Sequence, residues 1–182
     1  MMNPEALVLH SFFALLGLAA VYDVATLRIP NWICALLAAL FVAAAMRVAP
    51  VDWLSHLGAA VLVFVGGIAL FRFRIFGGGD IKLLTAGALW TGIWALPFFL
   101  LAVGLLGGVV ALFFLVARKI VVQALVTFAG NRQVRLPVAL HEGEGVPYGL
   151  AIVAGLFATT VQTPFWFGEV HVVFMRYFSG LI

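Results

Sequence analysis

Residues 83–117 read LLTAGALWTGIWALPFFLLAVGLLGGVVALFFLVA, 35 positions without one charged side chain, and the run opens directly out of Phe76-Gly77-Gly78-Gly79-Asp80-Ile81-Lys82. At 1.5 Å per residue a single helix of that length reaches about 52 Å, far beyond the roughly 30 Å hydrocarbon core of a bilayer. The run therefore requires two membrane helices. Pro97 marks the expected break, because proline removes an intrahelical donor and clashes with the preceding turn.

Outward from this run the same character repeats. Residues 6–22, 32–46, 54–71 and 147–167 are further apolar segments, separated by polar turns at 23–31, 47–53, 72–82 and 118–146. With 65% hydrophobic and 9% charged residues, the chain has too little polar surface to coat a soluble globule. The reading is all-α: one polytopic domain over residues 1–182 with six transmembrane helices. The tail Val170, Val173, Phe174, Tyr177, Phe178 and Leu181 recurs at helical spacing and predicts an amphipathic helix lying on the membrane surface. Pairs of small residues, Gly66 with Gly67 and Gly104 with Gly108, are expected to let helices approach closely.

Charge sets the orientation. On the six-span reading, one side holds Arg28, Arg72, Arg74, Lys82, Arg118, Lys119, Arg132 and Arg135 and the other only Arg47 and Arg176. Basic residues gather on the cytoplasmic side, so the N-terminus is expected outside. The same scatter of basic residues through loops argues against nucleic-acid binding. The single cysteine, Cys34, excludes an intramolecular disulfide and any Cys-x-x-Cys metal site. No His-Glu-x-x-His or Gly-x-Ser-x-Gly occurs, so zinc and serine hydrolytic mechanisms lack their parts.

Two carboxylates carry the chemistry. Asp23 and Asp80 are separated by two crossings, which return the chain to the side it left, so both are expected at one membrane face whichever way the protein is inserted. Hydrolysis without a metal or covalent nucleophile needs one group to take a proton from water and another to protonate or polarise the carbonyl. Two carboxyls close enough to repel cannot both ionise cheaply, so the pair shares a proton and meets both needs. Gly77, Gly78 and Gly79 are read as a loop that permits positive φ and lets a substrate backbone approach. Lys82 and Arg74 flank it, suited to steering an acidic group. An aspartate at a helix end taken alone is most often a solvated cap; two on one face of a chain with seven acidic residues argue for function.

Asp23 followed by Arg28-Ile29-Pro30-Asn31, then Gly77-Gly78-Gly79-Asp80-Ile81-Lys82-Leu83, then Val146-Pro147-Tyr148-Gly149, resembles the type IV prepilin peptidases, membrane aspartic peptidases of the Gly-x-Gly-Asp class. The resemblance implies that Asp23 and Asp80 are the catalytic pair at the cytoplasmic face of the bacterial inner membrane and that no cofactor is needed. It implies a prepilin or pilin-like substrate with a basic leader in the cytoplasm and an apolar helix in the bilayer. Pro147 and Tyr148 match a motif assigned a structural role. Larger members carry a cysteine-paired N-terminal extension linked to N-methylation. Here the first span begins within ten residues of Met1, so the chain resembles the short form of tight-adherence pili and methyltransferase activity is not expected. Competing readings are a small proton-coupled transporter or channel, in which membrane carboxylates form a relay, and a non-catalytic pilus or secretion assembly subunit.

Overall fold

The computed structural model describes residues 4–46, 51–73, 76–124 and 145–162. They form five helices: α1 Pro4–Thr26, α2 Asn31–Ala45, α3 Trp53–Arg72, α4 Gly78–Ala124 and α5 Tyr148–Gln162. Pro30 stands at the N-cap of α2, its fixed φ of −62° and extended ψ of 136° turning the chain into the helix that starts at Asn31. Asp52 caps α3 by accepting a hydrogen bond from the Ser55 N–H at 3.3 Å. These starts agree with the sequence reading. The chain is a helical membrane protein: among the described residues three helical stretches are long and apolar enough to cross a bilayer, Leu7–Thr26, Trp53–Arg72 and Gly78–Val121, and two apolar ones are shorter, Asn31–Ala45 and Tyr148–Thr160. The expected C-terminal surface helix, the aromatic cluster Phe165 to Phe167 and most of the 118–146 loop lie outside the described residues.

The two helices required of the uncharged run are present as two arms of α4, but the break is not at Pro97. It falls at Gly92, whose φ of 63° and ψ of 175° belong to a region open essentially to glycine alone. The packing shows that the chain reverses there. A methyl at Gly87 would lie 2.7 Å from the Phe99 ring and 3.6 Å from Leu156, and one at Gly155 would lie 2.6 Å from Val103. Along the first arm, Gly79 and α5's Gly149 both lie against Ile29 while Gly87 meets Leu156, so this arm runs parallel to α5. Along the second, Val103 meets Gly155 and Gly107 meets Tyr148, so that arm runs antiparallel to it. Pro97 sits in the second arm. Its fixed negative φ bends a helix, whereas a reversal needs the positive φ that only glycine takes cheaply.

The backbone groups freed by the reversal find partners on α3. The Ile93 N–H donates to Ser55 Oγ at 3.0 Å, and His56 Nδ1 lies 2.8 Å from the Leu89 carbonyl oxygen. Around them is an aromatic layer in which Phe41 packs on His56 and Trp90, with ring centroids 5.1 and 5.6 Å apart, and Trp90 meets Phe12 at 4.4 Å. The Trp90 indole N–H donates to the Leu37 carbonyl at 2.9 Å. Helix α2 turns Ile33, Leu37 and Phe41, four residues apart, into the same core.

The close-contact glycines differ in part from those expected. Gly67 packs on Ile81, as anticipated, but Gly66, Gly104 and Gly108 face open space. Gly107, which a methyl would bring to 3.0 Å from the Tyr148 ring, takes the role assigned to its neighbours.

Candidate active site

Both aspartates stand at helix ends, not in loops. Helix α1 continues a turn past residue 22, so Asp23 occupies its last turn and its carbonyl accepts the closing hydrogen bond from the Leu27 N–H at 2.8 Å. Leu27 then takes a left-handed φ of 52°, the conformation that ends many helices but that is rarely given to a branched side chain. It turns the chain within four residues into α2 and leaves Arg28 and Ile29 beside Asp23.

The second carboxylate comes from α4, which starts at Gly78. Asp80 is therefore the third residue of a helix, and its carboxylate bends back to the backbone N–H of Gly77, where a methyl on Gly77 would sit 3.0 Å from Oδ2. An acid three residues into a helix reaching back to the N-cap N–H is half of a capping box, which fixes the side-chain direction. The glycine run is accordingly the start of a helix and not a loop, and among the described glycines only Gly92 has a positive φ. Closeness explains Gly79: a methyl there would lie 3.4 Å from Ile29 Cβ and N.

These pieces enclose a cleft of about 330 Å³ lined by Asp23, Leu27, Arg28, Ile29, Asn31, Gly77, Gly78, Gly79 and Asp80. The two carboxylates predicted from sequence are thus brought together, near enough for the charge of Asp23 to act on Asp80. Asp23 is 3% exposed and Asp80 is half-buried. Lys82 stands outside the lining, exposed, its Nζ donating to Asn31 Oδ1 at 2.8 Å, and so ties the start of α4 to the start of α2. Arg74 lies outside the described residues.

A third element closes over Asp23. The first turn of α5 directs the backbone N–H groups of Gly149 and Leu150 at the Asp23 carboxylate, at the positive end of the helix dipole. Oδ2 of Asp23 is nonetheless buried without a hydrogen-bond partner among the described residues. Any side chain at 149 would collide, since a methyl there would be 2.8 Å from Asp23 Oδ2 and from Ile29 Cδ1. The Tyr148 ring packs edge-on against Phe76, just before the glycine run, at 5.4 Å. Arg118, buried on the second arm of α4, donates to the Gly145 carbonyl at 2.6 Å and anchors the approach to α5. The sequence reading noted Pro147-Tyr148-Gly149 but assigned its proline and tyrosine to structure alone. The glycine directly after a helix start was the available signal of a close approach.

A membrane-embedded helical bundle with two acidic side chains joined at one end of its helices is the class defined by this fold and site. Within that class, the model of the type IV leader peptidase family matches residues 10–112, more than half of the 182-residue chain, and the chain belongs to that family. No curated protein and no solved structure gave a match. Membership makes this a type IV leader peptidase-like protease of the membrane. Asp23, Asp80 and the glycine run lie within the matched residues, and Gly149 lies beyond them.

Proposed function

We propose that the chain is an aspartic endopeptidase that removes the N-terminal leader from prepilins or pilin-like subunits, with Asp23 and Asp80 as its acid/base pair. The observation that carries the reading is the single cleft in which α1's last turn and α4's first turn join their carboxylates. One carboxylate takes a proton from a water as its oxygen attacks the scissile carbonyl carbon, and the other, protonated, donates to the carbonyl oxygen. The tetrahedral intermediate then collapses as a carboxyl returns a proton to the departing amine, giving a free leader and a new N-terminus. No cofactor takes part in this scheme.

The whole chain acts as one peptidase domain in the bacterial cytoplasmic membrane, with six crossings once the two arms of α4 are taken separately, its N-terminus outside and its cleft facing the cytoplasm. Arg28, Arg72, Lys82 and Arg118, on segments that converge on the cleft end, support that orientation. The test is cleavage of a purified prepilin by the purified protein in detergent with no other factor added. A product shortened by the leader length is expected, and an uncut prepilin under conditions where the protein is folded overturns the reading.

A further inference from the structure

The last two turns of α1 carry two different surfaces. Asp23, in the last turn, and Leu27, just past the helix end, face the polar cleft, whereas Ala20, Val21, Val24 and Ala25 line a second cavity of about 350 Å³ whose far wall is Leu150. At 100° per residue the latter four occupy one face of α1, next to the face of Asp23. Leu150 belongs to the same turn of α5 as Gly149, which packs on Asp23. Cleft and groove therefore adjoin at the contact of α1 with α5, and the buried Asp23 oxygen that has no partner among the described residues lies at that seam.

The groove's lining contains no charged or hydrogen-bonding side chain, and Val21 is 65% exposed beside it. Its two alanines keep the α1 surface low, which lets another helix backbone come close, as small residues do at helix contacts in membranes. The exposed stripe of α3 differs: Val61, Leu62, Phe64, Val65 and Ile68 are large side chains on a helix that packs on α4.

We propose that the groove between α1 and α5 seats the apolar helix of the leader-bearing substrate, so that the bond to be cut reaches Asp23 and Asp80 from the α1/α5 side of the bundle. The inference rests on the peptidase reading. A polypeptide cut at this cleft must leave it in one direction as an extended, polar leader and in the other as an apolar helix in lipid. The surface around the end of α1 changes character in the same order, polar cleft first and apolar groove one helix face further on.

The test uses the full chain, a prepilin with its leader and apolar helix, and a peptide with the same leader and cleavage bond that ends before that helix. Ala25→Trp fills the groove, and Val65→Trp on α3 is the control. The expected result is a KM for the prepilin raised about tenfold by Ala25→Trp, with the short peptide cut at the parent rate and Val65→Trp like the parent for both. Equal loss on both probes, or no loss on the prepilin, overturns the groove. A photocrosslinking amino acid at Val21 in the Asp80→Asn protein decides the matter apart from cleavage. Crosslinks to the prepilin's apolar helix support the proposal, whereas crosslinks to a second copy of the chain, or to lipid alone, overturn it. If the parent cuts neither probe while Val21 crosslinks the prepilin, the peptidase reading has failed and the groove stands as a binding site.

Discussion

The two ends of the bundle use glycine and polar atoms in opposite ways. At Gly92 the chain breaks a helix inside an apolar layer, and α3 answers at once: Ser55 accepts from the freed Ile93 N–H and His56 meets the Leu89 carbonyl. At the other end Gly149 brings a backbone close to Asp23, and there a buried carboxylate oxygen has no partner among the described residues. A polar group in an apolar surrounding is costly unless paired. Among the described residues, the polar groups freed at the Gly92 reversal are paired, whereas the carboxylate beside Gly149 keeps one buried oxygen without a partner; Thr85 Oγ1, midway along the first arm of α4, is the other such atom.

The comparison breaks first on the aspartates. Asp23→Asn and Asp80→Asn are each expected to lower prepilin cleavage by about 10²–10⁴-fold, the usual worth of general acid/base catalysis, with thermal melts close to the parent. Turnover within a few-fold of the parent in either variant would remove the pair from the mechanism.

Next is the contact over Asp23. Gly149→Ala places a methyl 2.8 Å from Asp23 Oδ2 and must shift either the carboxylate or α5. Turnover is expected to fall up to about 10²-fold, the effect of displacing a reacting group by about 1 Å. Gly79→Val, pressing on Ile29 from the other wall, is expected to act in the same direction with full membrane insertion. Steady-state cleavage beside a melt measures both, and parent-like turnover in Gly149→Ala would show that α5 does not hold Asp23 in place.

The reversal end should respond in stability instead. Gly92→Ala forces a β-carbon into a glycine-only conformation and within 3.1 Å of Ser55 Oγ and 3.2 Å of His56 Cε1. A loss of about 1–3 kcal/mol is expected, read as a lower melting temperature, with cleavage per folded molecule retained. Ser55→Ala, which leaves the Ile93 N–H unpaired, is expected to cost a similar amount, about 1–3 kcal/mol. A specific loss of turnover without loss of stability in either would erase the distinction between the two ends.

The smallest effects are expected at the rim. Lys82→Met removes an exposed contact with Asn31, which for a surface polar pair is worth about 0–1 kcal/mol, so turnover should stay near that of the parent. Dialysis against a strong chelator should leave the rate unchanged, because two carboxylates suffice for the proposed chemistry. A rate lost on chelation and restored by zinc would recast Asp23 and Asp80 as metal ligands.

Much of this was legible in the chain itself. Long apolar segments and polar turns located α2 and α3 to within a residue at each start, and counting crossings joined Asp23 to Asp80 without any knowledge of packing. What stayed hidden depends on contacts between helices. Proline is the stronger local breaker, so Pro97 drew the break, but the reversal at Gly92 is stabilised by Ser55 and His56 on another helix. Gly107 and Gly104 look alike in sequence, and only the face presented to Tyr148 separates them. Helix ends are also set by local bonds that sequence does not display: the Asp23 carbonyl accepts from the Leu27 N–H and the Asp80 carboxylate reaches back to Gly77, so the two supposed loop aspartates are helical.

Helix α2 has only 15 residues, about 22 Å at 1.5 Å per residue, against a hydrocarbon thickness of about 30 Å. A short helix in a thicker membrane draws the lipid surface inward around it at a modest cost per ångström. Asn31, its first residue, lines the cleft with Arg28 and Asp80, so if α2 crosses the bilayer as proposed, the thinned lipid would lie beside them. On the proposed topology a hydrolytic site at the edge of the membrane would consume a water with every bond it cuts, and a crossing about a turn and a half short of the hydrocarbon thickness would open a way for that water to arrive. Turnover should accordingly depend on the acyl-chain length of the surrounding bilayer, falling as thicker lipid closes over the mouth.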